Sequence, residues 1–148
     1  MKTLYIDMDN VLVDFPSGIA RISDAQRKEF DGRLDEVPGI FSLMEPIEGA
    51  VIAFDKLADK FDTYILSTAP WENDTAWSDK LIWVKKYLGA KAHKRLILSH
   101  HKNLNKGDYL IDDRPLHNGA NYFAGKVIPF GSDDYPDWDS VASYLMNK

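Results

Sequence analysis

The sequence contains no cysteine, so a disulfide framework and a zinc site built on thiolates are both excluded. Long hydrophobic runs are absent as well. The amino-terminal segment reaches the acidic residue Asp7 before an apolar stretch of signal-peptide length has formed, and no later stretch is long enough to span a membrane. From these absences we expect a cytoplasmic protein that is not attached to a membrane.

Excess positive charge is also missing. The net charge is −5 and the isoelectric point is about 5.3, whereas a nucleic-acid binder needs a basic face that displaces counterions.

A chain of 148 residues, 45% of them hydrophobic and 28% charged, suits one compact globular domain. We therefore expect a single domain over residues 1–148 that binds a small molecule and no nucleic acid. No pattern in the sequence specifies an oligomeric state.

Short apolar segments alternate with helical patterns along the chain. β-Branched and aromatic runs predict strands at 3–6, 63–66, 95–98, 109–111 and 126–130. Apolar residues at helical spacing predict helices at 48–60, 77–88 and 137–146. Because strands and helices alternate and the strands are continuously apolar, the sequence predicts an α/β fold with a doubly wound (Rossmann-like), three-layer parallel sheet.

Two further segments carry more specific expectations. The helix at 77–88 is predicted to bury a stripe of Trp77, Leu81, Val84 and Leu88. Residues 16–46 hold charged, helix-like stretches interrupted by prolines, and they predict an insertion of short helices after the first strand.

Polar side chains follow three of the predicted strands, at the edge where doubly wound sheets bind ligands. They are Asp7, Asp9, Thr68, Asp112 and Asp113, with Lys102 on the connection just before the strand at 109–111. Clustered carboxylates repel one another unless a cation or protonation offsets their charge. A hard divalent ion such as Mg²⁺, held by carboxylates, waters and a substrate phosphate, meets that need.

The same residue types fit phosphoryl chemistry. Lys102 offers a positive charge and Thr68 a hydroxyl for phosphoryl oxygens, and a carboxylate in this place can act as a nucleophile. Alternate residues leaving a strand point to one side, so Asp7 and Asp9 are expected to face one phosphate, one attacking it and one moving protons.

Four segments resemble the motifs of a known superfamily, in the order in which that superfamily carries them. Residues 7–15 (DMDNVLVDF) resemble the first motif of the haloacid dehalogenase superfamily, and within it the match is closest to the 5′(3′)-deoxyribonucleotidases. Residues 65–70 (ILSTAP), 97–102 (ILSHHK) and 110–115 (LIDDRP) are similar to the second, third and fourth motifs. The ordered set is far more specific than an Asp-x-Asp pair alone, and the likeness covers most of the chain.

The resemblance implies a role for each matched residue. Asp7 would be the nucleophile that forms an aspartyl-phosphate. Asp9 would protonate the leaving oxygen and then deprotonate the water that hydrolyses the intermediate. Thr68 and Lys102 would bind the phosphoryl oxygens.

The resemblance also implies a Mg²⁺ cofactor and a cap. The ion would lie between the Asp7 carboxylate, the backbone carbonyl of Asp9 and Asp113, with Asp112 near it or holding a metal-bound water. Residues 16–46 would form a small helical cap over the site, which excludes water during transfer.

Four residues are candidates for contact with the rest of the substrate: Phe15, Phe41, Trp71 and His100. Phe15 is the last residue of the first matched segment, where it would stack on a base, and His100 stands where animal relatives have an arginine. Core packing remains an open alternative for the aromatic rings.

Two positions depart from the family pattern. Asn10 replaces the glycine usual in close relatives, and asparagine tolerates the left-handed backbone that such a turn uses. Ala69 stands where relatives often carry a serine, so one hydrogen bond to the phosphate is expected to be missing.

The sequence therefore predicts a magnesium-dependent phosphomonoesterase of the 5′(3′)-deoxyribonucleotidase type, acting on nucleoside monophosphates. One alternative is a phosphatase of the same superfamily for another ester, such as a sugar phosphate. A second is a receiver-type signalling module, but receivers carry the acidic pair after the first strand and the phospho-accepting aspartate after the third, the reverse of the order here. A third is a metal-free dehalogenase, which would lack the second aspartate of the first motif.

Overall fold

The computed structural model describes the chain from Met1 to Lys148. Its strands are β1 (Thr3–Ile6), β2 (Val13–Asp14), β3 (Glu45–Pro46), β4 (Asp62–Ser67), β5 (Leu96–Leu98), β6 (Tyr109–Asp112) and β7 (Lys126–Pro129). Its α-helices are α1 (Phe15–Ile19), α2 (Asp24–Glu29), α3 (Ala50–Lys60), α4 (Thr75–Tyr87) and α5 (Trp138–Met146). The five predicted strands and three predicted helices are all present. None of the helices combines the length and the hydropathy needed to cross a membrane.

Five parallel strands form the central sheet in the order β5-β4-β1-β6-β7. β1 lies in the middle, where Ile6 is opposite Ile65 of β4 on one side and Ile111 of β6 on the other. The chain first fills one half of the sheet, from β1 through β4 to β5, and then crosses over to fill the other half. The strand order therefore reverses beside β1, and the crevice at the carboxyl ends there is where such sheets bind ligands. The predicted α/β parallel sheet is confirmed.

One face of the sheet carries most of the hydrophobic core. Leu4 and Ile6 of β1 belong to a cluster of 30 buried residues that also includes side chains of α3, α4 and α5. At about 25 cal/mol per Å² of apolar surface removed from water, this cluster supplies most of the driving force for folding. It also holds β1 rigidly, which fixes the residue that follows Ile6.

The other face has a thinner cover. Tyr5 points away from the main core and packs in a small cluster with Leu66, Leu110 and Phe123. The connection after β6 covers these residues with a 3₁₀ turn, Ala120–Tyr122, instead of an α-helix. The connections lie so close to the sheet that a Cβ atom at Gly107 would come within 2.6 Å of the Tyr5 ring. The third layer of the predicted fold is thus built of turns and loops.

Residues between β1 and α3 form the expected insertion of short helices. The chain leaves and re-enters the core through an antiparallel ribbon of β2 and β3, in which Val13 pairs with Pro46. Between these strands lie α1, α2 and two 3₁₀ turns, Leu34–Glu36 and Ile40–Ser42. The ribbon was not predicted, because strands of two residues leave no period in the sequence.

Side chains at the start of α4 and on α4 fasten the insertion to the core. Asn73 is buried, and its Nδ2 donates to the carbonyls of Asp35 at 2.9 Å and Val37 at 3.1 Å. The Nε1 of Trp83 donates to the carbonyl of Met44 at 3.1 Å. These bonds join the backbone of the insertion to side chains of the core.

The buried face of α4 differs from the prediction. The spacing assigned Leu81 to the core, but that residue is 43% exposed. Val84 and Leu88 are buried as predicted, and the helix also buries Ala76, Lys80 and Trp83. The difference follows from Lys80, whose charge is paired inside the protein, so a residue type normally found in solvent lies on the core side.

Candidate active site

The carboxyl end of β1 carries Asp7 into the crevice beside the reversal of strand order. Its backbone N–H donates to the carbonyl of Ile111 at 2.9 Å, which continues the pairing with β6. The residue is only 7% exposed, and its Oδ1 lies 3.0 Å from the Nζ of Lys102. Asp7 is therefore held in one place by both its backbone and its side chain.

Lys102 joins Asp7 to the end of β6. Its Nζ donates to the Oδ2 of Asp112 at 2.6 Å, and its backbone N–H donates to the carbonyl of Asn118 at 2.7 Å. Burial lowers the pKa of Lys102, but the charges of Asp7 and Asp112 outweigh burial and hold the pKa above its usual value. The ammonium is thus a lasting positive charge beside Asp7.

Burial raises the pKa of Asp7 well above its usual range. Lys102 acts in the opposite direction, but its charge is shared with Asp112, and the charges of Asp112, Asp9 and Asp113 raise the pKa further. The site holds more negative charge than Lys102 alone offsets. A bound cation would favour the ionised form that a nucleophile needs.

Three carboxylates are arranged to hold such a cation. One oxygen from each of Asp7, Asp112 and Asp113 lies within 4.8 Å of the others, and burial raises the pKa of Asp113 as well. Carboxylate oxygens are the ligands that hard divalent ions prefer, so these residues fit the implied metal. Asp112 already accepts from the backbone N–H of Arg114 at 2.8 Å and from Lys102, which leaves Asp7 and Asp113 as the freer ligands.

Asp9 lies on the turn that follows β1. Asn10 has a φ of 59°, in the left-handed region that the sequence led us to expect there. The Asp9 side chain is 28% exposed, and both of its oxygens accept from the Nζ of Lys80, at 3.0 and 3.1 Å. Asp7 and Asp9 line the same cavity, so the two carboxylates face one space.

Thr68 follows β4 and lines the same cavity. Its hydroxyl donates to the carbonyl of Ser99 at 2.7 Å, which ties the end of β4 to the end of β5. Thr68 would have to release this bond in order to donate to a phosphoryl oxygen. The neighbouring Ala69 is buried and brings no polar side chain to the site.

A cavity of about 560 Å³ opens above these residues. Its floor is formed by the carboxylates and Lys102, and part of its wall comes from the insertion, through Gly32, Leu34 and Asp35. The cavity is large enough for a ligand of drug size, which such pockets of roughly 300–1,000 Å³ accommodate.

Three of the four predicted substrate contacts, Phe15, Trp71 and His100, line the cavity. Trp71 is 75% exposed at the rim and meets His100 edge to face, with ring centroids 5.9 Å apart. The Nε2 of His100 is buried and has no hydrogen-bond partner within the protein. An unpaired polar atom of this kind in a cavity wall is suited to a ligand.

Phe41 is the exception. It is 2% exposed, packs edge-on against Phe15 at 5.9 Å between ring centroids, and does not line the cavity. Phe15 and the ammonium of Lys80 pack against its ring, so nothing in this geometry supports the predicted contact between Phe41 and a substrate.

Sequence reasoning missed two cations of the site. Lys80 is fully buried against Asp9, and the signal for it was a lysine inside the apolar stripe of α4, between Trp77 and Val84. Arg114 is exposed and lines the cavity next to Asp113. The sequence feature that could have identified Arg114 is its position directly after the acidic pair Asp112-Asp113. An arginine at a strand end is common on any protein surface, so this feature is weak.

Comparison with known proteins assigns the chain to a family. Residues 33–136 match the family described as 5′ nucleotidase, deoxy (Pyrimidine), cytosolic type C protein. The chain is 58% identical over 145 residues to a protein of Vibrio phage KVP40 named "Putative 5′(3′)-deoxyribonucleotidase", and the match covers 98% of this chain and 85% of that protein.

Two more distant relatives carry the same kind of name. A Staphylococcus aureus protein named "Putative 5′(3′)-deoxyribonucleotidase" is 30% identical over 180 residues, covering 99% of this chain and 97% of its own. The Homo sapiens protein named "5′(3′)-deoxyribonucleotidase, cytosolic type" is 28% identical over 165 residues, covering 92% of this chain and 76% of its own. The resemblance inferred from the four motifs is thereby confirmed. The chain belongs to the family of 5′ nucleotidase, deoxy (Pyrimidine), cytosolic type C proteins, within the haloacid dehalogenase superfamily, and is a phosphoric monoester hydrolase.

Proposed function

We propose that the chain hydrolyses deoxyribonucleoside monophosphates through an aspartyl-phosphate formed on Asp7. The observation that carries the proposal is the buried Asp7 carboxylate, which lies 3.0 Å from the Nζ of Lys102 on the floor of a cavity of about 560 Å³. The names of the relatives support the choice of a deoxyribonucleotide as substrate.

In the first step an oxygen of Asp7 attacks phosphorus, and the bond between phosphorus and the ester oxygen breaks. The leaving oxygen takes a proton from Asp9, so that an alcohol departs. In the second step water attacks the phosphorus of the aspartyl-phosphate, the bond between phosphorus and the Asp7 oxygen breaks, and Asp9 takes a proton from that water. Inorganic phosphate leaves, and both aspartates return to their starting states.

Lys102 and Thr68 are proposed to bind the phosphoryl oxygens during both steps. Lys102 is already fixed by Asp7 and Asp112, so its charge needs little reorganisation as negative charge moves to the phosphoryl group. Thr68 supplies a hydroxyl at the end of the adjacent strand.

Magnesium is the proposed metal. Asp7, Asp113 and the backbone carbonyl of Asp9 would hold it, with Asp112 beside them, as the acidic cluster at this edge supports. When bound, the ion supplies positive charge that offsets the carboxylates and the incoming phosphate.

The insertion, residues 16–46, is proposed to act as a cap. Its residues Gly32, Leu34 and Asp35 line the cavity. Phe15, which immediately precedes the insertion in the sequence, lines the cavity as well. A base that stacks between Phe15 and the paired rings of Trp71 and His100 would be shielded from water on two sides.

A substrate screen tests the proposal. Phosphate release should be measured with 5′- and 3′-deoxyribonucleoside monophosphates, the matching ribonucleotides and several sugar phosphates, with Mg²⁺ and with EDTA. Deoxyribonucleotides should give the highest kcat/KM, and EDTA should abolish turnover. Sugar phosphates turning over best would overturn the proposed substrate.

The role of Asp7 is tested by Asp7→Asn, with the exposed Asp133→Asn as the matched control. Removing the nucleophile should lower kcat by at least about 1,000-fold, because no second group can form the covalent intermediate. The control should match the wild type. Activity that survives in Asp7→Asn would rule out Asp7 as the nucleophile.

A further inference from the structure

Two lysines of the chain are buried, and the proposed mechanism uses only one of them. Lys102 stands beside Asp7, whereas Lys80 enters the site from α4 and is 0% exposed. Burying an ammonium is costly unless it is paired and hydrogen-bonded. The contacts that Lys80 makes should therefore explain why it is buried.

The ammonium of Lys80 has three polar partners and one aromatic neighbour. Its Nζ donates to Asp9 Oδ1 at 3.0 Å, to Asp9 Oδ2 at 3.1 Å and to the Oγ of Ser67 at 2.9 Å. It also lies 4.4 Å from the centroid of the Phe41 ring. An ammonium has three N–H donors, so these contacts use its full capacity.

The geometry determines what Lys80 does to Asp9. Because both carboxylate oxygens bond to the same nitrogen, the plane of the Asp9 carboxylate is fixed as well as its position. The Asp9 side chain is 28% exposed as a whole and lines the cavity. Without Lys80, an aspartate on a turn beside open space would be free to change rotamer.

We propose that Lys80 is a positioning residue that holds the Asp9 carboxylate in reach of the ester oxygen of the substrate. Ser67 and Phe41 hold Lys80 in turn, which gives Phe41 a part in the site without substrate contact. The inference rests on the proposed function, in which Asp9 gives a proton to the leaving oxygen.

Proton donation matters in proportion to the basicity of the leaving group. A nucleoside leaves as a strongly basic alkoxide unless it is protonated, whereas p-nitrophenol leaves readily as a stable anion. Misplacing Asp9 should therefore slow cleavage of a nucleotide far more than cleavage of p-nitrophenyl phosphate. A loss of packing or of general electrostatic support would slow both esters alike.

The experiment compares Lys80→Met in the full chain with wild type and with Lys85→Met, an exposed lysine of the same helix. Methionine fills a similar space without charge, and the partner left behind, Asp9, remains partly exposed at the cavity. In Lys80→Met, kcat/KM for a deoxyribonucleoside 5′-monophosphate should fall about 100-fold or more, and that for p-nitrophenyl phosphate less than about 10-fold. Lys85→Met should match the wild type on both esters.

A double-mutant cycle with Asp9→Asn makes the test independent of the stability of one variant. If Lys80 acts through Asp9, then Asp9→Asn with Lys80→Met should lose no more nucleotide activity than Asp9→Asn alone. The double variant removes both charges of the pair, so it leaves no buried ammonium without its carboxylate partner.

Equal losses on the two esters, or additive losses in the cycle, would overturn the positioning role while leaving the proposed function intact. Failure of the wild-type protein to hydrolyse either ester would instead overturn the proposed function itself.

Discussion

The surroundings of Asp7 disfavour the ionised form of its carboxylate. Burial and the neighbouring acids Asp112, Asp9 and Asp113 all raise its pKa, and the single ion pair with Lys102 does not compensate. Because Asp7 is hard to ionise without a cation, its reactivity as a nucleophile is coupled to metal binding. It also means that the metal-free protein is destabilised by its own active site.

Asp7→Asn should therefore stabilise the protein in EDTA. Asparagine mimics the neutral acid, and Lys102 keeps Asp112 as its partner. We expect a gain on the order of 1 kcal/mol in the free energy of unfolding at pH 7, or roughly 2–4 °C in Tm. Thermal unfolding followed by circular dichroism measures it, with Asp133→Asn as the control. A less stable Asp7→Asn would mean that the Lys102 pair outweighs the effect of burial.

The pH dependence of this gain has a definite sign. The folded-state pKa of Asp7 lies above its ordinary value of 3.8. Between those two values the native state binds more protons than the unfolded state, so raising the pH lowers the free energy of unfolding of the wild type. The advantage of Asp7→Asn should thus be smallest near pH 4 and should grow toward neutrality.

At the same scale, the sequence identified residues that end strands and missed one that arrives from a helix. Asp7, Thr68 and Asp113 follow β1, β4 and β6, and parallel strands bring their carboxyl ends to one edge, so these positions were predictable. The role of Lys80 was not predictable, because helical periodicity assigns lysines to the solvent-facing side of a helix. Only the contact with Asp9, 71 positions away in the sequence, reveals why it is buried.

At the scale of elements, the boundary between the insertion and α4 depends on very few groups. Asn73 bonds with one side-chain amide to two carbonyls of the insertion, those of Asp35 and Val37. The same stretch of the insertion lines the cavity through Leu34 and Asp35. Fixing this stretch therefore fixes one wall of the site.

Asn73→Ala should loosen that wall. The partly buried carbonyl of Asp35 and the buried carbonyl of Val37 would each lose the bond from Asn73, at a cost of about 1–3 kcal/mol. Hydrogen–deuterium exchange should accelerate at the amides of residues 34–42 and stay unchanged in β1 and β6. The exposed Asn121→Ala is the matched control. Uniform acceleration over the whole chain would indicate global destabilisation and would contradict a local fastening role.

Elements with a clear period were predicted well, and the exceptions have physical causes. The strands and α3 follow from continuous or periodic apolar patterns. The face of α4 was assigned by hydrophobicity alone, which selected Leu81 and overlooked Lys80. The cover over Tyr5 is a 3₁₀ turn and loops, which carry no period that a sequence could show.

At the scale of the whole molecule, the strand order explains why one site can assemble from distant segments. The chain fills β4 and β5 on one side of β1 and β6 and β7 on the other. Asp7 and Asp113 are consequently neighbours although more than a hundred residues separate them in the sequence. Alternating strands and helices predicted a parallel sheet but not the order of its strands, which only the structure gives.

Because the acidic cluster joins β1 to β6, metal binding should stabilise the whole fold. A ligand that binds only the native state adds RT ln(1 + [L]/Kd), about 2.7 kcal/mol at 100 times Kd. Titrating Mg²⁺ into the EDTA-treated and dialysed wild-type protein should therefore raise Tm by roughly 5–10 °C at saturation. Asp113→Asn removes a proposed ligand and should flatten this response, while Asp133→Asn, an exposed acid outside the cluster, should retain it. Because Tm is read without substrate, the result does not depend on catalysis. A response that persists in full in Asp113→Asn would show that the ion binds elsewhere on this acidic protein.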